Sequence, residues 1–202
     1  MGKESRQRMV VGAAALLGSR GLSATSLNDV LERSRAPRGS IYHNFPEGKR
    51  QLVGEALRWT TEQILLYQSR CTATTASGVL DHFLEVFRRS VESSKCQAGC
   101  PLAGVVVDTY SSDAVILGLC RAGFRSWTTL LSAQLVRAGV PRRRAHSLAT
   151  LALASIEGAL ILCRTERSAR PLEEVASQLR QLSKTPRAVS GTAVHKRRPR
   201  SG

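Results

Sequence analysis

Acidic side chains are scarce in this chain. Fifteen Asp and Glu stand against 30 Lys and Arg, a formal net charge of +15 and a pI near 10.9. Such an imbalance favours phosphate backbones through counterion release, and solubility alone does not require it. The excess sits mostly at the ends: residues 1–50 carry nine basic against four acidic side chains, and residues 184–202 carry six against none. Aromatic residues make up only 4%, and no alternating apolar–polar pattern recurs along the chain. That removes sheet folds and leaves an all-α protein. No apolar run reads as long enough to span a bilayer. The stretch Met9–Gly18 behind Arg6 and Arg8 has the outline of a signal peptide. Its Met9, Val10, Ala13, Ala14 and Leu17 nevertheless recur at helical spacing, and Gly21 stands beyond Arg20 as a C-cap. A first helix fits better, and the chain reads as a soluble, cytoplasmic protein.

Chemistry-bearing motifs are missing as well. There is no Gly-x-Ser-x-Gly, P-loop, His-Glu-x-x-His or Gly-x-Gly-x-x-Gly after a strand, so neither an enzyme nor a cofactor is expected. The five cysteines (71, 96, 100, 120 and 163) are odd in number without an export signal, which speaks against a disulfide framework. Cys96 and Cys100, with His82 or His146, invite a zinc or thiol-redox reading. No second Cys/His pair supports it, and a small buried Cys100 at a helix start is the simpler account.

What is present is concentrated between Ser26 and Leu52. Ser26 with Asp29 fits a capping box, followed by Leu27, Val30 and Leu31 at helical spacing. A turn falls around Ser34–Ala36, and Pro37 suits the first position of a helix running from Arg38 to Asn44, about two turns. Ile41 and Phe45 lie four apart on its inner face. The other face carries Arg38, Gly39, Ser40, Tyr42 and His43, small or flat groups with one cation. Such a face can enter a DNA major groove, with Gly and Ser allowing close approach and Arg reaching guanine or phosphate. A solvated helical hairpin is the plainer alternative. It leaves an outward Tyr42, a helix-weakening Gly39 and the abrupt Pro46-Glu47-Gly48 ending unexplained.

At these residues the sequence resembles the DNA-binding domain of the TetR/AcrR family of bacterial regulators. The resemblance covers about Met9 to Leu52, and SIYHNFPEGKRQLV is its most specific piece. Two positions depart from the family habit: Arg35 stands in the turn where Gly is usual, and Arg50 where an acidic residue is usual. A left-handed residue 35 would cost about 1 kcal/mol more as Arg than as Gly. The Gly99-Cys100-Pro101-Leu102 segment is similar to one found in the branch of regulators resembling LmrA and YxaF.

Downstream, apolar spacing predicts helices over 49–70, 79–92, 101–109, about 112–138, about 142–165 and about 171–182. In the first, Leu52, Ala56, Trp59, Gln63, Leu66 and Tyr67 trace the expected buried stripe; in the second, Leu80, Phe83, Leu84 and Phe87 do. Helix 142–165 is apolar nearly all round, hence buried on more than one side. Its small residues Ala152, Ser155, Gly158 and Ala159, with Leu172, Val175, Ala176 and Leu179 beyond, suit half of an intersubunit four-helix bundle; a central core helix in a monomer is the alternative. The resemblance implies the dimer, because these last two long helices pair the subunits in that family. The tail from Lys184 has no periodicity and no acids, and reads as disordered. It either adds non-specific DNA affinity or does nothing.

The expectation is a three-helix helix-turn-helix domain (1–48), a helical-bundle effector-binding and dimerisation domain (49–183) and a basic tail (184–202). The protein would be a homodimeric repressor released from a palindromic double-stranded operator by a small, largely apolar effector. Arg38, Gly39, Ser40, Tyr42 and His43 would meet the operator, while Thr25, Ser26 and Lys49 anchor phosphates. Trp59, Phe83, Phe87, Tyr110, Phe124 and Trp127 would line the effector site, with glycines 99, 104, 118 and 123 opening a cavity; aromatics serving only as core are the alternative. An effector-independent basic DNA-binding protein is the rival function, and a protein–protein adaptor is disfavoured by the Gly-rich recognition helix.

Overall fold

The computed structural model describes residues 2–37, 39–108 and 113–184, so Arg38, Tyr110 and the tail beyond Lys184 lie outside the described residues. Among those described there are nine α-helices and no strand. Helix α1 (Gly2–Arg20) buries Met9, Val10, Ala13, Ala14 and Leu17, and closes on Gly21 at φ 78°. Helix α2 (Leu27–Ser34) opens with the expected capping box. The Asp29 amide donates to Ser26 Oγ at 3.1 Å, and the Ser26 amide donates to the Asp29 carboxylate at 2.8 Å. It ends on Arg35 in the left-handed conformation (φ 51°, ψ 37°), the geometry that glycine would adopt without a Cβ clash. Helix α3 (Ser40–Asn44) is one turn rather than two. Phe45 then turns inward, fully buried beneath the Arg6 guanidinium at 5.0 Å.

Helix α4 (Lys49–Ser69) carries a different stripe from the predicted one. Leu52, Val53, Ala56, Leu57, Thr60, Ile64 and Gln68 are buried, while Gln63 and Leu66 face out. The reason is tertiary: α4 packs against α1 on one side and α7 (Ala114–Arg137) on another, which widens and rotates its buried face. Helix α5 (Ala76–Ser93) buries Leu80, Phe83, Leu84 and Phe87 as expected. Short α6 (Pro101–Asp108) lies across α1, and α8 (Arg142–Glu166) packs on α7 and α9 (Arg170–Ser183).

The dimer-face expectation needs correction in its details. Ala152 and Ala159 of α8, and Leu172, Ala176 and Leu179 of α9, are buried within the chain itself, because α9 lies on α5 and α8. Arg88–Glu173 (2.6 Å) and Arg180–Asp81 (2.8 Å) fasten α9 there. What α8 leaves outside is Leu151, Ala154, Gly158, Ile161 and Leu162, with Ile161 61% exposed. The same helix corrects the expectation about length. Arg142–Glu166 is long and apolar enough to cross a membrane, but 44% of its apolar window is buried inside this fold.

The hydrophobic core runs without a break from Met9 in α1 to Leu179 in α9. Glycines make that continuity possible, in the opposite sense to the expected one. A Cβ on Gly104 would stand 2.5 Å from the Leu17 carbonyl oxygen of α1, and one on Gly99 would stand 2.8 Å from the Gly18 carbonyl oxygen. The Gly99 amide donates to that same Gly18 carbonyl at 2.9 Å. Gly123 of α7 likewise admits Leu102 and Thr61, at 2.5 and 2.6 Å from where its Cβ would be. Gly104 and Gly123 close gaps rather than open them; Gly99 packs on Gly18 and also lines the cleft at the joint, and Gly118 faces open space. Gly104→Ala is therefore expected to cost on the order of 1–3 kcal/mol in urea denaturation. Gly118→Ala should be neutral or stabilise by up to about 1 kcal/mol through helix propensity.

Candidate nucleic-acid interface and adjoining cleft

Helix α3 presents the two aromatic rings expected of it. Tyr42 is 66% exposed and His43 is exposed beside it, while Ile41 on the inner face is 3% exposed. Gly39 has φ −72° and no heavy atom within 4 Å of a would-be Cβ, so neither backbone nor packing demands glycine there. Gly39 thus leaves the surface beside Tyr42 open. Ser40 is half-buried, its hydroxyl donating to the Pro37 carbonyl at 2.6 Å. Arg38 lies outside the described residues.

The three expected phosphate anchors separate on inspection. Ser26 stands exposed at the start of α2 with its oxygen committed to the capping box. Thr25 is 2% exposed and its hydroxyl donates to the Gly21 carbonyl at 2.6 Å, so its side chain points inward. Lys49 Nζ donates to the Leu22 carbonyl at 2.7 Å. Near it, Asp108 at the end of α6 accepts from the Ser23 amide, and that bond is the main reason its carboxyl sits below the usual carboxylate range. Arg50, where an acid would be usual, pairs instead with Asp113 at 2.9 Å, tying the start of α4 to the N-cap of α7. Lys49 and Asp108 thus join the α1–α3 head to the helices behind it, and Arg50 fastens two of those helices to each other.

Behind the head opens a cleft of about 1250 Å³, bounded by α1, the end of α2, α4, α5, the 95–100 loop and α8. Of the expected effector residues only Trp59 and Phe87 line it. Phe83 packs edge-on to Phe87 at 5.4 Å. Phe124 and Trp127 form a second such pair at 5.5 Å, with Trp127 fully buried and its indole N–H donating to the Thr61 carbonyl at 3.1 Å. Phe83 and Trp127 serve as core, and Tyr110 lies outside the described residues. Sequence reasoning missed the cleft's cations, Arg20, Arg33, Lys95, Arg164 and Arg167. They come from four separate segments, so no local spacing announces them.

Cys100, on the cleft floor, is buried beside Glu157 of α8. Burial pushes its thiol well up, which makes it a poor thiolate ligand or nucleophile. Burial also raises the Glu157 carboxyl to about 7, only partly offset by the bond from the Cys100 thiol, and Glu157 Oε1 has no hydrogen-bond partner. A folded-state pKa above the ordinary 4.5 means that folding is favoured by the protonated acid and penalised as pH rises through that window. Relative to Glu157→Gln, the wild type should lose on the order of 2–3 kcal/mol between pH 4.5 and pH 8, read from urea midpoints.

A short exposed helix following a capped α2, on an all-helical body with a cleft at the joint, is the arrangement of a helix-turn-helix protein. The chain belongs to the TetR family of bacterial regulatory proteins. The family's DNA-binding model matches residues 10–56, and the model of the LmrA/YxaF-like transcriptional regulator C-terminal domain matches residues 76–178. An uncharacterized HTH-type transcriptional regulator of Mycobacterium tuberculosis is 38% identical, over 88% of this chain and 93% of its own. The HTH-type transcriptional regulator LmrA of Bacillus subtilis is 27% identical over 90% and 97%. Among solved structures, a TetR transcriptional regulator from Legionella pneumophila superposes with a TM-score of 0.80 at 23% identity, covering 88% of this chain and 96% of that one. The family consists of DNA-binding transcriptional regulators, not enzymes.

Proposed function

We propose that this regulator is a cytoplasmic repressor that binds a palindromic operator as a homodimer and leaves it when a small effector occupies the body. The single observation that carries the DNA reading is α3. Its Tyr42 ring is two-thirds exposed beside His43 and an unobstructed Gly39, on a helix whose other side is anchored by Ile41 and Phe45. Arg38, Gly39, Ser40, Tyr42 and His43 would read the operator. Ser26 would meet phosphate at the start of α2, with Thr25 and Lys49 bracing that surface from behind. TetR-family regulators bind operators and small-molecule effectors as dimers; the division that goes with this reading is a DNA-binding head over 1–48, an effector-binding and dimerisation body over 49–183 and a basic tail from 184. The effector-independent alternative has the +15 charge in its favour.

Pairing through α8 is supported by its outward stripe. Gly158 lets two helices approach closely, and Leu151, Ile161 and Leu162 around it would bury apolar surface now facing water. Because Ala159 faces its own core, the discriminating substitutions are on the outer side. Ile161→Arg with Leu162→Arg should give a folded monomer by sedimentation with unchanged helical content. A wild type that is itself monomeric at micromolar concentration contradicts the pairing. Tyr42→Ala should cost on the order of 1–3 kcal/mol against a duplex selected from random sequence, with weak non-specific binding retained. Equal binding of wild type and variant to selected and random duplexes contradicts direct readout.

A further inference from the structure

The cleft at the joint is lined by apolar side chains from four helices, Val11 and Ala15 of α1, Trp59 and Ile64 of α4, Phe87 of α5 and Leu160 of α8, interspersed with neutral polar ones such as Thr60, Gln63 and Ser90. The charged side chains around it are all cationic: Arg20 and Arg33 from the head, Lys95, Arg164 and Arg167 from the body, with no acidic residue lining it. Arg20 is partly balanced by Asp29 at 3.4 Å, and Arg164 donates to the Ser19 carbonyl at 2.8 Å. Arg33, Lys95 and Arg167 have no ion-pair partner among the described residues. Lys95 and Arg167 are held in left-handed turns (φ 51° and 50°) that end α5 and α8. Like charges gathered around one apolar cavity repel one another until an anion joins them.

We propose that this cleft binds an amphipathic anion, an apolar chain or ring system ending in a carboxylate or comparable acid. The apolar part lies along Trp59, Ile64 and Phe87, and the acid reaches the cations contributed by both head and body. The class narrows the small, largely apolar effector expected from the aromatics by adding an acidic end. It rests on the effector-released reading above, while the site itself stands on the cleft's lining. Bridging Arg33 of the head to Lys95 and Arg167 of the body would make the position of the head depend on occupancy, which is what coupling to DNA requires.

Dodecanoate and 1-dodecanol share a chain length and differ in charge, so they serve as the probe pair. The full-length protein is titrated with each below its aggregation concentration, reading the fluorescence of half-buried Trp59 in a Trp127→Phe background. A parallel titration of the unsubstituted protein by calorimetry guards against a fold defect from that change. Dodecanoate should bind at least about tenfold more tightly than dodecanol. The triple variant Arg33→Gln, Lys95→Gln, Arg167→Gln should weaken dodecanoate about ten- to hundredfold and leave dodecanol unchanged. Equal binding of acid and alcohol, or dodecanoate affinity untouched by the triple change, overturns the proposal. So does a triple variant that loses only non-specific duplex affinity while dodecanoate never competes, since the cations would then serve DNA phosphates. Charge-selective binding that leaves operator affinity unaltered keeps the site and instead refutes release by effector.

Discussion

Where α1 crosses α6 the two segments touch through backbone, and the placement of everything else depends on that contact. Gly104 against the Leu17 carbonyl and Gly18 against the Gly99 carbonyl leave no room for a single methyl group. Close approach on this scale lets Leu17, Leu102 and Val105 share one fully buried core instead of forming two cores with a hinge. The helix-turn-helix motif therefore has no separate foundation. Helix α1 is at once the base of the head and a wall of the body.

Polar contacts reinforce the same joint. Lys49 reaches back to Leu22, Asp108 receives the Ser23 amide, Arg164 holds the Ser19 carbonyl, and Arg6 pairs with Glu55 at 2.6 Å. Most of these groups are partly exposed, so each contributes little alone. Their effect is to fix the angle at which α3 stands out from the body. The cleft opens along this joint, which places any bound molecule against α1 and α4, the helices that set that angle. A ligand preferring one angle would shift the population of head positions by its differential affinity and by no more than that.

Much of the fold was legible in the residues, and the division between legible and hidden follows the range of the interactions. The Ser26–Asp29 capping box, the inward Phe45 and the six helices beyond α3 are decided within a few residues, so spacing revealed them, while the left-handed Arg35 was raised only as a condition by the family resemblance. The Tyr42 face was legible for the same reason. The stripe of α4 was not, because which side is buried depends on α1 and α7 arriving from distant parts of the chain. The same holds for α8. Its small residues were visible in sequence, but only the landing of α9 decides that Ala152 and Ala159 face inward while Gly158 and Ile161 face out. Glycine gave a misleading signal, since its lack of a side chain can make a void or permit close packing, and only the neighbouring backbone distinguishes them. Cations lining the cleft come from segments far apart in sequence, and their convergence has no local signature.

Native-state hydrogen exchange along a denaturant series measures directly whether head and body share one foundation. Amides of Leu16 and Leu17 in α1 and of Val105 in α6 should exchange through a common opening, with the same free energy and the same denaturant dependence. If the α1 amides instead exchange through a separate, lower-energy opening while α6 stays protected, the head is an independent unit and the shared foundation is contradicted.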